Sequence, residues 1–249
     1  TSPNPNITWE KSVTYDIGLT YGLFDNRLSG DLDYFFTHTY DILASRIRTV
    51  PGTYGGSLPD ENYAVVDVNG IEASLKYQGE LGDLQYTIGG NIGYAKDEVK
   101  KRDEPEGLEE WRSAIGHPQD RIWGYESRGI IRDQETLNEL PEGFTQWGRE
   151  PQMGVILYKD IRGENRSPGA DGKIDHNDQT WLSENGSPRI NYGFDLSGNW
   201  KKLSLRMHFQ GVAAYDRVIS TKNGGGVFQV GGRPYFELWT DHWTPDNPD

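Results

Sequence analysis

The sequence predicts an all-β protein of long antiparallel hairpins, and three observations predict it. Apolar and polar residues alternate with a period of two through three separate stretches, which puts one set on each face of a strand. Very short connectors within those stretches contrast with connections of tens of residues between them. The composition holds 31 Gly, 14 Tyr and 8 Trp against only 34% hydrophobic residues. That balance suits long hairpins and loops better than a dense aliphatic core.

The first hairpin covers residues 12–21 and 27–43. Val13, Tyr15, Ile17, Leu19 and Tyr21 share one parity, and Ser12, Thr14, Asp16, Gly18 and Thr20 the other. On the return arm Leu28, Leu32, Tyr34 and Phe36 alternate with Ser29, Asp31, Asp33 and Phe35, the last being the one break. Residues 22–26 carry the Asp25-Asn26 turn pair. One face is therefore apolar and Tyr-rich, the other small, hydroxylated or acidic. A soluble sandwich and a lipid-facing sheet both show such faces, so the pattern leaves the two open.

Residues 48–62, around Pro51-Gly52-Thr53-Tyr54-Gly55-Gly56, read as loop. The second hairpin runs over 64–78 and 84–94, with a connector at 79–83. Ile71, Ala73, Leu75 and Tyr77 share a face on its first arm. Leu84, Tyr86, Ile88, Gly90, Ile92 and Tyr94 share one on its second, the cleanest strand in the chain. From Lys96 to Gln152 the alternation dissolves into a charged region. Within it residues 122–131 read as one short strand, and 133–140 as a helical turn capped by Asp133. Residues 155–160 lead into an Asp- and Gly-rich segment ending at Asp178. The third hairpin spans 189–215 with a turn at Lys201-Lys202. The rest is loop, including Gly224-Gly225-Gly226, until a short apolar run at 235–239.

Charge and composition exclude several classes. The net charge of −13, with no basic stripe, argues against a nucleic-acid partner, whose phosphates demand basic neutralisation. Without cysteine there are no disulfides, zinc thiolates or nucleophilic thiols. No apolar run reaches the roughly 18 residues of a membrane helix, which says nothing against a β-barrel. Thr1-Ser2-Pro3-Asn4 has neither an initiator Met nor a signal peptide, and reads as the start of a piece of a longer protein.

Asn4-Pro5-Asn6-Ile7-Thr8-Trp9-Glu10-Lys11-Ser12, then Tyr15-Asp16-Ile17-Gly18-Leu19 and Leu23-Phe24-Asp25-Asn26-Arg27-Leu28, closely resemble a barrel segment of the SusC/RagA-type TonB-dependent transporters. Asp33-Tyr34-Phe35, Asp41-Ile42-Leu43, Asn69-Gly70-Ile71-Glu72 and Tyr158-Lys159-Asp160 continue the likeness. So do Asp171-Gly172-Lys173-Ile174-Asp175-His176-Asn177-Asp178, Pro188-Arg189-Ile190-Asn191-Tyr192-Gly193 and Phe209-Gln210-Gly211. Trp243-Thr244-Pro245-Asp246-Asn247-Pro248 closes the ordered set. Each motif alone is weak; the ordered set is specific and spans nearly the whole chain.

The resemblance implies that residues 1–249 belong to a 22-stranded outer-membrane barrel of a Gram-negative bacterium, without its plug and final strands. It further implies import of oligosaccharides or peptides, driven through TonB by way of the plug, with a SusD-like surface lipoprotein as partner. The Tyr-rich face would then meet lipid and the small polar face the lumen. Tyr15, Tyr21, Tyr77, Tyr94 and Trp200 would serve as interfacial girdles. The rival is a soluble carbohydrate-binding β-sandwich.

Asp171, Asp175 and Asp178 are the candidate metal ligands. With Gly172 at the turn position, their spacing is that of the second half of an EF-hand calcium loop. Ser167 and Gly169 stand where first-half ligands belong, so the alternative is that these carboxylates cap turns on their own backbone. Asp31, Asp33, Asp41 and Glu109-Glu110 offer carboxylates for hydrolysis. The five His show neither metal spacing nor a nucleophile partner, and no active site is assigned. Tyr54, Trp111, Trp123, Trp147 and Trp181 are loop aromatics that either stack on a ligand or pack the loops on themselves.

Overall fold

The computed structural model describes residues 4–46, 58–218 and 243–244. Two compact units emerge, one comprising residues 1–121 and 184–216, the other residues 122–183 and 217–249. The first unit is built on a single open sheet.

That sheet has six strands: β1 (Lys11–Leu23), β2 (Leu28–Ser45), β3 (Asp60–Leu81), β4 (Leu84–Lys101), then, after the intervening segment, β11 (Ile190–Trp200) and β12 (Leu203–Ala213). They lie side by side in the order β1-β2-β3-β4-β11-β12, every neighbour antiparallel. Strands continue closer to the turns than the sequence pattern predicts, because Gly22, Gly79 and Leu81 still pair across the ladder. What remains is tight. Gly82 and Lys201 take positive φ at the two-residue turns, and Phe24, Asp25 and Asn26 do so in the first hairpin.

At their other ends β3 and β4 run further than expected. The charged run beginning at Lys96 is strand to Lys101, paired with β3 as far as Val65. There the outward alternation turns polar, as in His38 opposite Asp67 opposite Glu98, so apolar periodicity ends where hydrogen-bonded strand does not. A bulge at Tyr40-Asp41, with Asp41 at φ 57°, shifts the β2–β3 register.

Register places the apolar residues in rows across the strands. Leu19, Leu32, Ala73, Ile92 and Tyr192 form one row; Ile17, Tyr34, Ile71, Tyr94 and Ile190 form the next. Aromatic rings lie over glycines directly opposite them. A Cβ on Gly30 would stand 2.6 Å from the Tyr21 hydroxyl oxygen, and one on Gly79 or Gly211 would meet the ring of Tyr86 or Tyr192. These glycines are notches that let a large ring lie flat on the sheet.

No second layer covers this face among the described residues. Ile17 is 76% exposed, Ile71 50% and Ile92 51%. Six strands about 4.8 Å apart, with a band about 26 Å tall, present roughly 600 Å² of apolar surface. That stands at the upper end of the largest patches a soluble monomer leaves bare, about 300–600 Å².

The second unit has short strands: β5 (Ile122–Gly124), β6 (Ser127–Ile130), β7 (Thr145–Gln146), β8 (Ile156–Tyr158), β9 (Lys173–Ile174) and β10 (Thr180–Ser183). The strand expected over residues 122–131 is two strands, since β5 pairs with β10 and β6 with β8. The helix α1 (Gln134–Asn138) follows Asp133, whose carboxylate accepts from the Thr136 amide at 2.8 Å. Ile131, Phe144, Leu157 and Ile174 form the small core. The apolar run at 235–239 and the loop around Tyr54 lie outside the described residues.

Candidate functional site

The polar face of the six-stranded sheet gathers the first set of functional side chains. Period-two alternation sends Thr20, Asp31, Ser74, Asn91 and Gln210 to one row. Asp33, Glu72 and Asn191 lie in the next. All of these but Thr20 line a shallow groove together with His208. Asp31 is held on both oxygens, by the Thr20 hydroxyl at 2.9 Å and the Ser74 hydroxyl at 2.9 Å. His208 Nδ1 lies 2.9 Å from Asp195. Glycines again make room: a Cβ on Gly18 would stand 2.0 Å from Asp33 Oδ1, and one on Gly193 2.5 Å from Asn91 Oδ1. The result is a wall of carboxylate, amide and hydroxyl groups that exchanges hydrogen bonds with a passing solute.

The carboxylates considered for hydrolysis do not assemble. Asp31 and Asp33 share this face, but Asp41 pairs with Lys11 at 2.8 Å and Glu109 with Arg112 at 3.0 Å. Each described His has a carboxylate neighbour instead of a nucleophile: His38 has Asp67, His117 has Glu184, His176 has Asp175 and His208 has Asp195.

At the end of the sheet remote from the tight turns is a charged junction that sequence reasoning treated only as a motif. Arg189, 7% exposed, donates to Asp97 at 2.8 Å, to Asp120 at 2.5 Å and to the Glu184 carbonyl at 2.7 Å. Glu184 accepts from Lys96 at 3.2 Å and lies 2.6 Å from His117 Nδ1. The His117 hydrogen bond, helped by Lys96, holds the Glu184 carboxyl below its ordinary value. A Cβ on Gly186 would stand 2.0 Å from the Asp120 carbonyl oxygen, so only glycine lets the two segments meet. The signal was present in the Pro188-Arg189 pair, but its partners, Asp97 in the charged end of β4 and Asp120 in the following loop, are distant in sequence and no periodicity marks them.

In the second unit the acidic loop resolves into backbone caps. Asp178, 1% exposed, accepts from the Ile161 and Arg162 amides at 2.9 and 3.1 Å through one oxygen, and from the Asp175 amide at 2.8 Å through the other. Asp175 in turn accepts from the Asn177 amide at 2.7 Å, completing a capping box. Asp171 accepts from the Lys173 amide at 3.0 Å. Asp160 accepts the Asp171 and Gly172 amides at 3.1 and 2.7 Å.

No three acidic, His or Cys side chains converge on a metal position among the described residues. Asp171 and Asp175 each turn one carboxylate oxygen, and Asp178 both, to backbone amides, the arrangement that the turn-capping alternative describes. Asp178→Ala is expected to leave three amides unpaired and loosen the second unit by about 3 kcal/mol or more. Limited proteolysis checks this, and a calcium chelator should leave the wild-type cleavage pattern unchanged.

The loop aromatics divide. Trp123 and Trp181 pack edge-to-face at 4.8 Å, and Trp123 Nε1 donates to Gln179 at 3.1 Å, which is loop packing. Trp111 sits in the one-turn segment Glu110–Arg112 of the first unit. Trp147 is 51% exposed, at 5.2 Å from the Tyr125 ring and 5.4 Å from that of Tyr158.

Known proteins match this architecture. The family model described as TonB dependent receptor-like, beta-barrel, matches residues 1–122. TonB-dependent receptor P26 of Formosa agariphila is 26% identical over 257 residues, covering 98% of this chain and 24% of that protein. TonB-dependent receptor SusC of Bacteroides thetaiotaomicron is 28% identical over 99 residues, covering 39% of this chain and 10% of that protein. Among solved structures, that of the RagAB peptide transporter superposes with a TM-score of 0.68 at 24% identity, over all of this chain and 26% of that one. The chain thus spans about a quarter of the length of P26 and of the RagAB chain.

Proposed function

We propose that this chain, whose residues 1–122 match the TonB dependent receptor-like β-barrel model and which is similar to SusC over 99 residues, forms part of the wall of an outer-membrane nutrient importer of a Gram-negative bacterium rather than an enzyme. The observation that carries this reading is the bare apolar band and its aromatic borders. Tyr86 and Tyr94 on β4, and Tyr192 and Trp200 on β11, each lie eight positions apart on the apolar face. Eight residues of strand rise about 26 Å. Tilted by about 40° in a barrel wall, that rise spans about 20 Å, so the two aromatic rows fall just inside the edges of a hydrocarbon band of about 25 Å. Isoleucine, leucine and phenylalanine fill the space between.

The hairpin turns at Gly82 and Lys201 would face the periplasm, and the longer connections the outside. The groove of Asp31, Asp33, Glu72, Asn91 and Gln210 would line the lumen. The open edges of β1 and β12 would pair with further strands of the barrel. A SusD-like surface lipoprotein as partner, TonB as energy donor through a plug, and an oligosaccharide or peptide as cargo follow as the finer parts of the proposal.

The test uses the full-length parent. It is expected in the outer-membrane fraction, with gel mobility that changes on boiling as a closed barrel unfolds. A soluble parent without a mobility shift would sink the reading in favour of a sandwich.

A further inference from the structure

We propose that Lys11, His38, Asn69 and Lys96 form a level row of hydrogen-bond donors that binds the phosphates of lipid head groups in the outer leaflet. The proposal rests on the importer reading, because it needs the apolar face to be the lipid face.

The row is defined by where the apolar face stops. Towards the long connections, the unbroken apolar run ends at Val13 on β1, Phe36 on β2, Ile71 on β3 and Tyr94 on β4. At the next position on the same face stand Lys11, His38, Asn69 and Lys96. The chain has 38 acidic and 25 basic residues, yet none of these four neighbouring boundary positions carries a carboxylate.

The row runs obliquely over the sheet. Tyr15, Phe36, Asn69 and Lys96 pair in one rung, so Lys11 lies four residues beyond the rung that holds Lys96. A level plane across strands tilted by about 40° and spaced about 4.8 Å shifts about 4 Å along each successive strand. Over three steps that is roughly 3.6 residues. The turn ends step in the same sense: Leu23, Leu28 and Tyr77 share a rung, and β3 runs four residues further to Leu81. An oblique line on the sheet is thus a horizontal line in a tilted barrel wall, and the four donors stand at one depth.

Each cation is held from behind by an acid. Lys11 Nζ donates to Asp41 at 2.8 Å, His38 Nδ1 lies 2.6 Å from Asp67, and Lys96 Nζ donates to Glu184 at 3.2 Å. In every pair the carboxylate is the less exposed partner, most clearly at His38 with 41% against 15% for Asp67. The acid aims the cation and leaves it outermost. Tyr40 steadies the β1–β2 end: Lys11 Nζ lies 5.6 Å from its ring centre, and the His38 ring stacks on it at 5.6 Å. A lysine ammonium has three donors, and Asp41 or Glu184 takes one. Donors fixed just above an apolar wall suit a ligand with an acyl body and an anionic head that only accepts hydrogen bonds. A phosphate-bearing lipid has that form.

Native mass spectrometry of the purified full-length receptor tests this, with release from phosphatidylcholine nanodiscs that contain bis-phosphorylated lipid A. Dephosphorylated lipid A, with the same acyl chains, is the contrast. The wild type is expected to retain the phosphorylated form roughly tenfold more strongly or better, and Lys11→Gln and Lys96→Gln should each weaken retention about fivefold. Lys11→Arg combined with Lys96→Arg keeps both charges and should retain lipid nearly as the wild type does, which keeps the test readable where a Gln variant fails to fold. Lys76→Gln, which removes a like charge from the polar face, should change nothing. Inorganic phosphate at millimolar concentration should not displace the lipid, since it has no acyl chains to lie on the apolar face. Four results overturn the proposal: equal retention of both lipid A forms, wild-type retention in the folded Lys11→Gln, Lys96→Gln double variant, an equal loss in Lys76→Gln, or displacement by inorganic phosphate. Loss of outer-membrane location or of the heat-dependent gel shift in the wild-type receptor would instead overturn the importer reading itself.

Discussion

Leu75→Arg is expected to remove most of the folded receptor from the outer membrane, whereas Ser74→Arg, one residue away, is expected to leave it there. The two side chains point to opposite faces of β3. Leu75 lies on the apolar face, opposite Gly30 on β2 and Gly90 on β4. Gly90 is midway between Tyr86 and Tyr94, so Leu75 falls near the middle of the band. An arginine at the bilayer midplane of a barrel costs about 2–4 kcal/mol, and the lost leucine adds to that. Ser74 stands on the polar face with its hydroxyl 2.9 Å from Asp31. Arginine there would meet a carboxylate and water. Urea titration of the refolded receptor in lipid vesicles measures the difference. Equal losses at both positions would mean that the apolar face is not the lipid face.

Much of this contrast was legible in the sequence. A period of two assigns residues 12–21, 84–94, 190–200 and 203–210 to a face, and the structure keeps those assignments row by row. The rows were not legible, because register depends on where the turns close. Gly22 and Leu81 look like connector residues yet pair in the ladder. Nor were the glycine notches. Gly30 reads as an interruption of an apolar face and Gly79 as the start of a connector, and only the strand opposite shows that Tyr21 and Tyr86 fill the space above them.

The loops behaved differently. Asp133 announced its helix because a cap and its amide lie three residues apart. Asp178 takes two of its amides from Ile161 and Arg162, far back in the chain, so its capping role was only half visible in the capping-box spacing of Asp175 and Asp178. Spacing that resembles an ion-binding loop also suits a loop that satisfies its own backbone. What separates the two is the direction of each oxygen, and that is set by tertiary contacts. Trp147 was one of five loop aromatics with nothing in sequence to distinguish it. Its left-handed backbone and half-exposed ring set it apart.

Arg189→Ala is expected to release the segments around residues 113–121 and 184–189 from the end of β4. The guanidinium, 8% exposed, sits between Asp97 at 15% and Asp120 at 24%. Removing it leaves two carboxylates facing each other with little water, a change that costs about 3–5 kcal/mol when a buried pair is broken. Hydrogen exchange should show lost protection in these two segments, with β1 and β2 unaffected. Arg189→Lys should recover only part, since one ammonium does not span both acids in the way a guanidinium does. Adding Asp97→Asn and Asp120→Asn to Arg189→Ala should restore part of the protection by removing the stranded charges. Acid should act in the same direction. Glu184, held below its ordinary value by His117 and Lys96, contributes its share fully above the ordinary carboxylate range. That share is lost as pH falls through the lowered value, when the folded junction must take up a proton. Protection that stays constant down to pH 3 in the wild type, or that survives Arg189→Ala, would show that backbone pairing at Val99 with His117 and Gly116 holds these segments without the charges.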